Sequence, residues 1–134
     1  MRGTVTALLV FHHAKPYNEL EAALEKLAVR VGRARSLAEA HHVLSTVNLP
    51  LLVFTESELP DGNWADVVSL SARASSPISV IVMGQETDTN LYVSVIEAGA
   101  FDFMAPPFEA LELAHVVRCA ADNALARRRT AMNS

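Results

Sequence analysis

The chain has a single cysteine, Cys119, so it can form neither an internal disulfide nor a thiolate metal cluster. A small apolar residue in a helix is the role expected for it. It also lacks long apolar runs: Val5 to Phe11, Leu49 to Phe54 and Ile78 to Met83 fall far below the ~20 residues of a bilayer-crossing helix. Met1-Arg2-Gly3 opens no signal-peptide pattern, and a soluble cytoplasmic protein without membrane contact is expected. Positive charge is scarce, with 11 Lys and Arg against 15 Asp and Glu and a formal net charge of −4, which argues against direct nucleic-acid binding. The short basic run Arg127-Arg128-Arg129 is expected to oppose a helix dipole. No G-x-S-x-G elbow, G-x-x-x-x-G-K-[ST] phosphate loop or G-x-G-x-x-G fingerprint occurs, so neither nucleophilic catalysis nor a nucleotide enzyme is expected, and no cofactor is expected.

Hydrophobic residues, by contrast, make up 51% of the 134, with a mean hydropathy of +0.22, enough for one domain whose elements are buried on more than one face. The domain is expected to span 1–134, with a core of about 4–126 and a basic tail or linker start at 127–134. Thr4 to Phe11 reads as a strand and His12 to Pro16 as a loop. Asn18 and Glu21 have capping-box spacing ahead of Leu20, Ala23, Leu24, Leu27 and Ala28, which fall on one helical face. Val29 and Val31 suggest an edge strand, and Ser36 with Glu39 a second capping box before a helix carrying Ala40, Val43, Leu44 and Val47. Leu49 to Phe54 predicts a third strand, Leu59 to Asn63 a turn, and Trp64 to Ala72 a helix in which Trp64 packs on the core or caps the end. Ile78 to Met83 is the fourth strand, followed by a polar loop from Gln85 to Asp88 and a helix that stops at Gly99. Phe101 to Ala105 and a helix through Leu111, Ala114, Val117 and Ala121 complete the series.

Five strands alternating with five helices predict an α/β, doubly wound, flavodoxin-like (βα)5 three-layer sandwich with a parallel sheet of order 2-1-3-4-5. Ligands of such sheets sit outside the carboxyl ends of the strands. The residues placed there are His12 and His13, Thr55 and Glu56, Gly84 and Gln85, and Pro106 and Pro107.

Two segments at those strand ends carry a family resemblance. Glu97-Ala98-Gly99-Ala100-Phe101-Asp102-Phe103-Met104-Ala105-Pro106-Pro107-Phe108 is similar to an "AGAxDYxxKPF" ending, and Glu56-Ser57-Glu58-Leu59-Pro60-Asp61-Gly62 to a "DxxLPxxxG" loop. From about Thr4 to Ala126 the chain thus resembles the receiver domain of two-component response regulators. The resemblance implies an aspartyl-phosphate switch: an acidic pair holding magnesium, an Asp nucleophile, a Thr or Ser, and a Lys.

The chain departs from that pattern at each position. His12 and His13 stand at the acidic pair, Glu56 at the phosphoacceptor, Gly84 at the hydroxyl and Pro106 at the lysine, while Pro107 keeps the family's proline, a cis-proline position. No Asp precedes Asp61 and no Lys follows Lys26, so no shift of register restores the set. Two imidazoles are poor ligands for a hard divalent cation, and phosphoryl transfer needs cations on the equatorial oxygens. The chain is therefore expected to be a pseudo-receiver: non-enzymatic, without catalytic or metal-binding residues, acting in phosphorelay-type signalling through protein contacts. Glu56 is expected either to be a solvated carboxylate or, reaching one methylene further than aspartate, to imitate a phosphorylated state. A His12, His13 and Glu56 metal site meets the difficulty that adjacent residues of an extended chain point to opposite sides. His41 and His42 read as a partly exposed helix face. The partner is expected to be a protein or a second copy, bound on the fourth helix, fifth strand and fifth helix, with Tyr92 and Val93 as interface candidates. The alternative is a receiver-fold regulator switched by a His-bound metal, a small anion or pH at the strand ends.

Overall fold

The computed structural model describes residues 5–84 and 89–132, so the expected loop from Gln85 to Asp88 lies outside the described residues. Ten principal elements follow one another: β1 (Thr6–Val10), α1 (Ala14–Lys26), β2 (Arg30–Ala34), α2 (Leu37–Leu44), β3 (Leu52–Glu56), α3 (Trp64–Ala72), β4 (Ser79–Met83), α4 (Thr89–Glu97), β5 (Asp102–Met104) and α5 (Ala110–Met132). All strand pairs in the main sheet are parallel, and their order is 2-1-3-4-5. This is the flavodoxin-like sandwich expected from the alternation.

Successive strand residues face opposite sides of a sheet, and β1 sorts its side chains accordingly. Ala7, Leu9 and Phe11 enter one core with Leu20 and Leu24 of α1 and Leu113 and Val117 of α5. Leu8 and Val10 enter the other with Ala40 and Leu44 of α2, Val67 of α3 and Val95 of α4. The central strands are buried on both faces, which explains their uninterrupted apolar runs.

Several local expectations are corrected. Helix α1 begins at Ala14 with His13 at its N-cap, and Asn18 lies inside it, so the Asn18–Glu21 capping box does not form. Pro16 falls in the first turn, where its missing N–H leaves no helical bond unmade. Ala28, expected on the helix face, lies beyond the helix end with a left-handed φ of 62°. At α2 the hydroxyl of Ser36 accepts from the Glu39 N–H, but the Glu39 carboxylate accepts from Arg35 N–H, one residue before the expected partner. The full capping box belongs to Asn63 and Asp66 at the start of α3. Ahead of it, the expected turn is a small antiparallel hairpin of Glu58–Leu59 with Gly62–Asn63. Trp64 opens α3 and packs, partly buried, against the second core.

Helix α5 runs on to Met132, through the arginine run expected near a helix C-terminus, and the arginines hold its last turns to the sheet. Arg128 donates from Nε to the Pro77 carbonyl and from Nη2 to the Pro50 carbonyl, both at 2.8 Å. Arg127 reaches the Ile78 carbonyl at 3.4 Å. These side chains fasten α5 to the entrances of β3 and β4, a role the dipole reading of the basic run did not include. No described helix is long and apolar enough to cross a membrane.

Candidate functional site

Because β1 and β3 are neighbours with Val10 opposite Thr55, the last residue of β3 comes to lie beside the turn that leads from β1 into α1. The Glu56 carboxylate crosses to that turn. Oε1 accepts the backbone N–H groups of His12 (2.6 Å) and His13 (3.0 Å), and Oε2 lies 2.8 Å from His13 Nδ1. The Glu56 side chain is only 14% exposed, whereas that of His13 is 65% exposed. Unpaired N–H groups and the positive end of the dipole make a helix N-terminus an anion seat, and Glu56 fills this one from within the chain. The solvated-carboxylate expectation is thereby overturned.

The other side of the same turn is held by Arg33 of β2. Its guanidinium lies 4.1 Å from the centroid of the Tyr17 ring and donates to the Phe11 carbonyl from Nε (3.3 Å) and Nη2 (3.2 Å). Burial, then the hydrogen bond to Glu21, push the Tyr17 hydroxyl above its usual range. Sequence reasoning missed Arg33; the signal available was a cation in phase with Val29 and Val31, on their side of an edge strand.

The magnesium ion that the receiver resemblance implies does not fit these residues. Both oxygens of Glu56 are engaged by the loop, and no cluster of three or more His, Cys, Asp or Glu able to hold a metal occurs among the described residues. The rings of His12 and His13 stand edge to face at 5.2 Å rather than on opposite sides, yet only His13 reaches Glu56.

At the fourth strand end, Gly84 donates its N–H to the Met104 carbonyl. A Cβ at Gly84 would meet the Phe103 ring at 2.8 Å and Leu91 at 3.0 Å, so the space a Ser or Thr side chain would need is taken by an aromatic ring. Phe103 in turn stacks edge to face on Tyr92 at 5.9 Å. Pro106 and Pro107 follow β5, are exposed, and are joined by a cis peptide; neither side chain offers a cation or a donor.

Two further features surround these ends. In the hairpin after β3, the Asp61 carboxylate accepts the N–H groups of Leu37 (2.7 Å) and Ala38 (3.0 Å), which hold its pKa below the usual range. Beside β5, α4 exposes Tyr92 (47%), Val93 (45%) and Ile96 (39%). The last of these was not singled out from the sequence, although its i+4 spacing from Tyr92 was the available signal.

No family model matches the chain. Two curated relatives do: the response regulator protein PilR of Pseudomonas aeruginosa, 29% identical over 103 residues, and the photosynthetic apparatus regulatory protein RegA of Cereibacter sphaeroides, 25% identical over 116 residues. The matches cover 75% and 86% of this chain but only 22% and 62% of the relatives' own length. Among solved structures, a putative response regulator from Chloroflexus aurantiacus superposes with a TM-score of 0.82 at 24% identity, covering 90% of this chain and 99% of that one. The beryllofluoride-activated NtrC4 receiver domain dimer superposes with a TM-score of 0.78 at 22% identity, covering 88% of this chain and 97% of that one. The chain has the receiver fold, and its sequence relatives are regulatory proteins, one of them described as a response regulator.

Proposed function

We propose that this chain is a pseudo-receiver: a non-enzymatic module of two-component or phosphorelay signalling in the cytoplasm that accepts no phosphate and acts by binding protein. The observation that carries this reading is the state of Glu56. A phosphoacceptor carboxylate must offer a free oxygen to phosphorus, next to a metal and a lysine that neutralise the transferred group. Here both oxygens accept hydrogen bonds from the β1–α1 turn, imidazoles stand at the acidic pair, and Pro106 stands at the lysine. The contact surface is the face of α4, β5 and the start of α5, where Tyr92 and Val93 are exposed together with Ile96. One solved relative of the fold is described as a receiver dimer, in keeping with binding through such a domain.

Incubation with Mg²⁺ and acetyl phosphate, followed by intact-protein mass spectrometry, tests the chemistry. No phosphoryl adduct is expected; a stoichiometric adduct mapped to Glu56 or another strand-end residue overturns the reading. A pH-switched variant of it has one contact in its favour, His13 Nδ1 to Glu56 Oε2, because protonating the imidazole converts a hydrogen bond into an ion pair. In that case His13→Gln would abolish the pH dependence of partner affinity.

A further inference from the structure

The charge along the chain is strongly segregated. Between Arg73 and Arg118 there is no Lys or Arg, while Glu86, Asp88, Glu97, Asp102, Glu109 and Glu112 supply six of the 15 carboxylates. Nine acidic residues face eleven basic ones in the rest of the chain, so the whole negative excess belongs to this one stretch. Four of those carboxylates are on described residues at the end of α4 (Glu97), on β5 (Asp102), just before α5 (Glu109) and in its first turn (Glu112), and none of the four makes an ion pair among the described residues.

The same stretch carries the apolar residues that α4 leaves uncovered. Tyr92 and Ile96 are one turn apart, Val93 lies beside them, and Glu97 follows one turn after Val93. Tyr92 and Phe103 border a cleft of about 650 Å³ between α4 and α5, whose opposite rim is formed by Glu109 and Glu112. The edge-to-face contact with Phe103 holds the Tyr92 ring, so the apolar anchor is already ordered before anything binds.

A second copy is a poor occupant. A two-fold axis through this face would gather Glu97, Glu109 and Glu112 of both copies into one interface with no lysine or arginine from the same face to offset them. Arg118, the next cation along α5, lies beyond that cleft and within 3.3 Å of His115 Nδ1. A helix with an apolar stripe flanked by Lys or Arg satisfies both features at once, apolar on apolar and cation on carboxylate. We infer that the α4–β5 face and its cleft dock a basic amphipathic helix of a partner protein, with Tyr92, Val93 and Ile96 meeting its apolar stripe and Glu109 and Glu112 its cations. This rests on the reading of the chain as a protein-binding receiver and names the partner chemistry of that surface.

The test uses the full chain and two synthetic helical peptides with the same leucine stripe, one filled with Lys and the other with Glu. Fluorescence anisotropy is expected to show binding of the Leu/Lys peptide and none of the Leu/Glu peptide, with amide shifts confined to α4, β5 and the first turns of α5. Val93→Ser with Ile96→Ser should weaken binding about tenfold or more, as for a lost hot spot. Glu109→Lys with Glu112→Lys should reverse the peptide preference; all four sites are exposed, and circular dichroism verifies folding. Amide shifts spread over α1 and α2, or affinity indifferent to both double variants, overturn the proposal. So does a dimer in sedimentation that Ile96→Ser disperses. A chain that binds neither peptide yet remains inert to acetyl phosphate refutes this choice of partner alone, whereas phosphorylation refutes the pseudo-receiver reading itself.

Discussion

Replacing Glu56 by alanine removes three hydrogen bonds that join the end of β3 to the start of α1. A neutral protein hydrogen bond contributes about 0.5–1.5 kcal/mol net, but the freed N–H groups of His12 and His13 border an exposed turn where water replaces part of the loss. The His13–Glu56 pair is exposed on its histidine side and adds about 0.2–1 kcal/mol at most. The expected cost of Glu56→Ala is therefore about 1–2 kcal/mol, read as a lower urea midpoint at unchanged slope and a Tm drop of about 3–8 °C. Glu56→Gln retains a carbonyl acceptor for the two backbone N–H groups and should cost about half as much. A solvated carboxylate would give neither effect, since surface substitutions stay within about 0.5 kcal/mol. An alanine variant as stable as the parent would refute the assignment of Glu56 as the internal ligand of this turn.

Arg128→Ala removes two 2.8 Å bonds from a charged donor to the Pro50 and Pro77 carbonyls, and a loss of about 1–3 kcal/mol in urea unfolding is expected, with Arg128→Lys recovering only part of it. Gly84→Ala forces a methyl into the Phe103 ring and should destabilise by about 1–3 kcal/mol, a cost that Phe103→Leu in the same chain reduces. The Asp61 pKa is held down in the folded state by the Leu37 and Ala38 N–H groups, so its contribution is present above the unfolded carboxylate value of about 3.9 and disappears as pH falls through the lower folded value. Asp61→Asn should accordingly flatten the acid limb of the stability–pH curve and leave a constant offset near neutrality. Ala28→Gly relieves a left-handed φ of 62° and should raise stability by up to about 1 kcal/mol by thermal unfolding.

The buried strands were legible because the apolar runs at Leu49–Phe54 and Ile78–Met83 are too short for helices and too continuous for half-exposed strands, and the order of the sheet followed from their alternation with helices. Helix ends were read less well, for physical reasons that differ between them. His13 caps α1 without a side-chain bond because its imidazole goes to Glu56, a residue 43 positions away in the sequence. The Asn63–Asp66 box was obscured by the turn residues around it, which fold into a hairpin. At the strand ends the sequence showed which residues are present but not the contacts they make. The seat of the Glu56 carboxylate and the Phe103 ring over Gly84 both depend on contacts across strands, which no local pattern encodes. The arginine run at 127–129 likewise has two members bound to strand entrances far away in sequence, a use that end-of-helix electrostatics does not disclose.

The most direct test of the central claim is a backbone-amide NMR titration of the chain with Mg²⁺ and beryllofluoride, which together mimic the phosphorylated aspartate of a receiver. With Glu56 already bound by His12 and His13, the signals of Glu56, Gly84 and α4 should remain in place at saturating reagent. Concerted shifts at Glu56 and at Tyr92, Val93 and Ile96 on the far side of Phe103 would contradict the account and place a working switch at these strand ends.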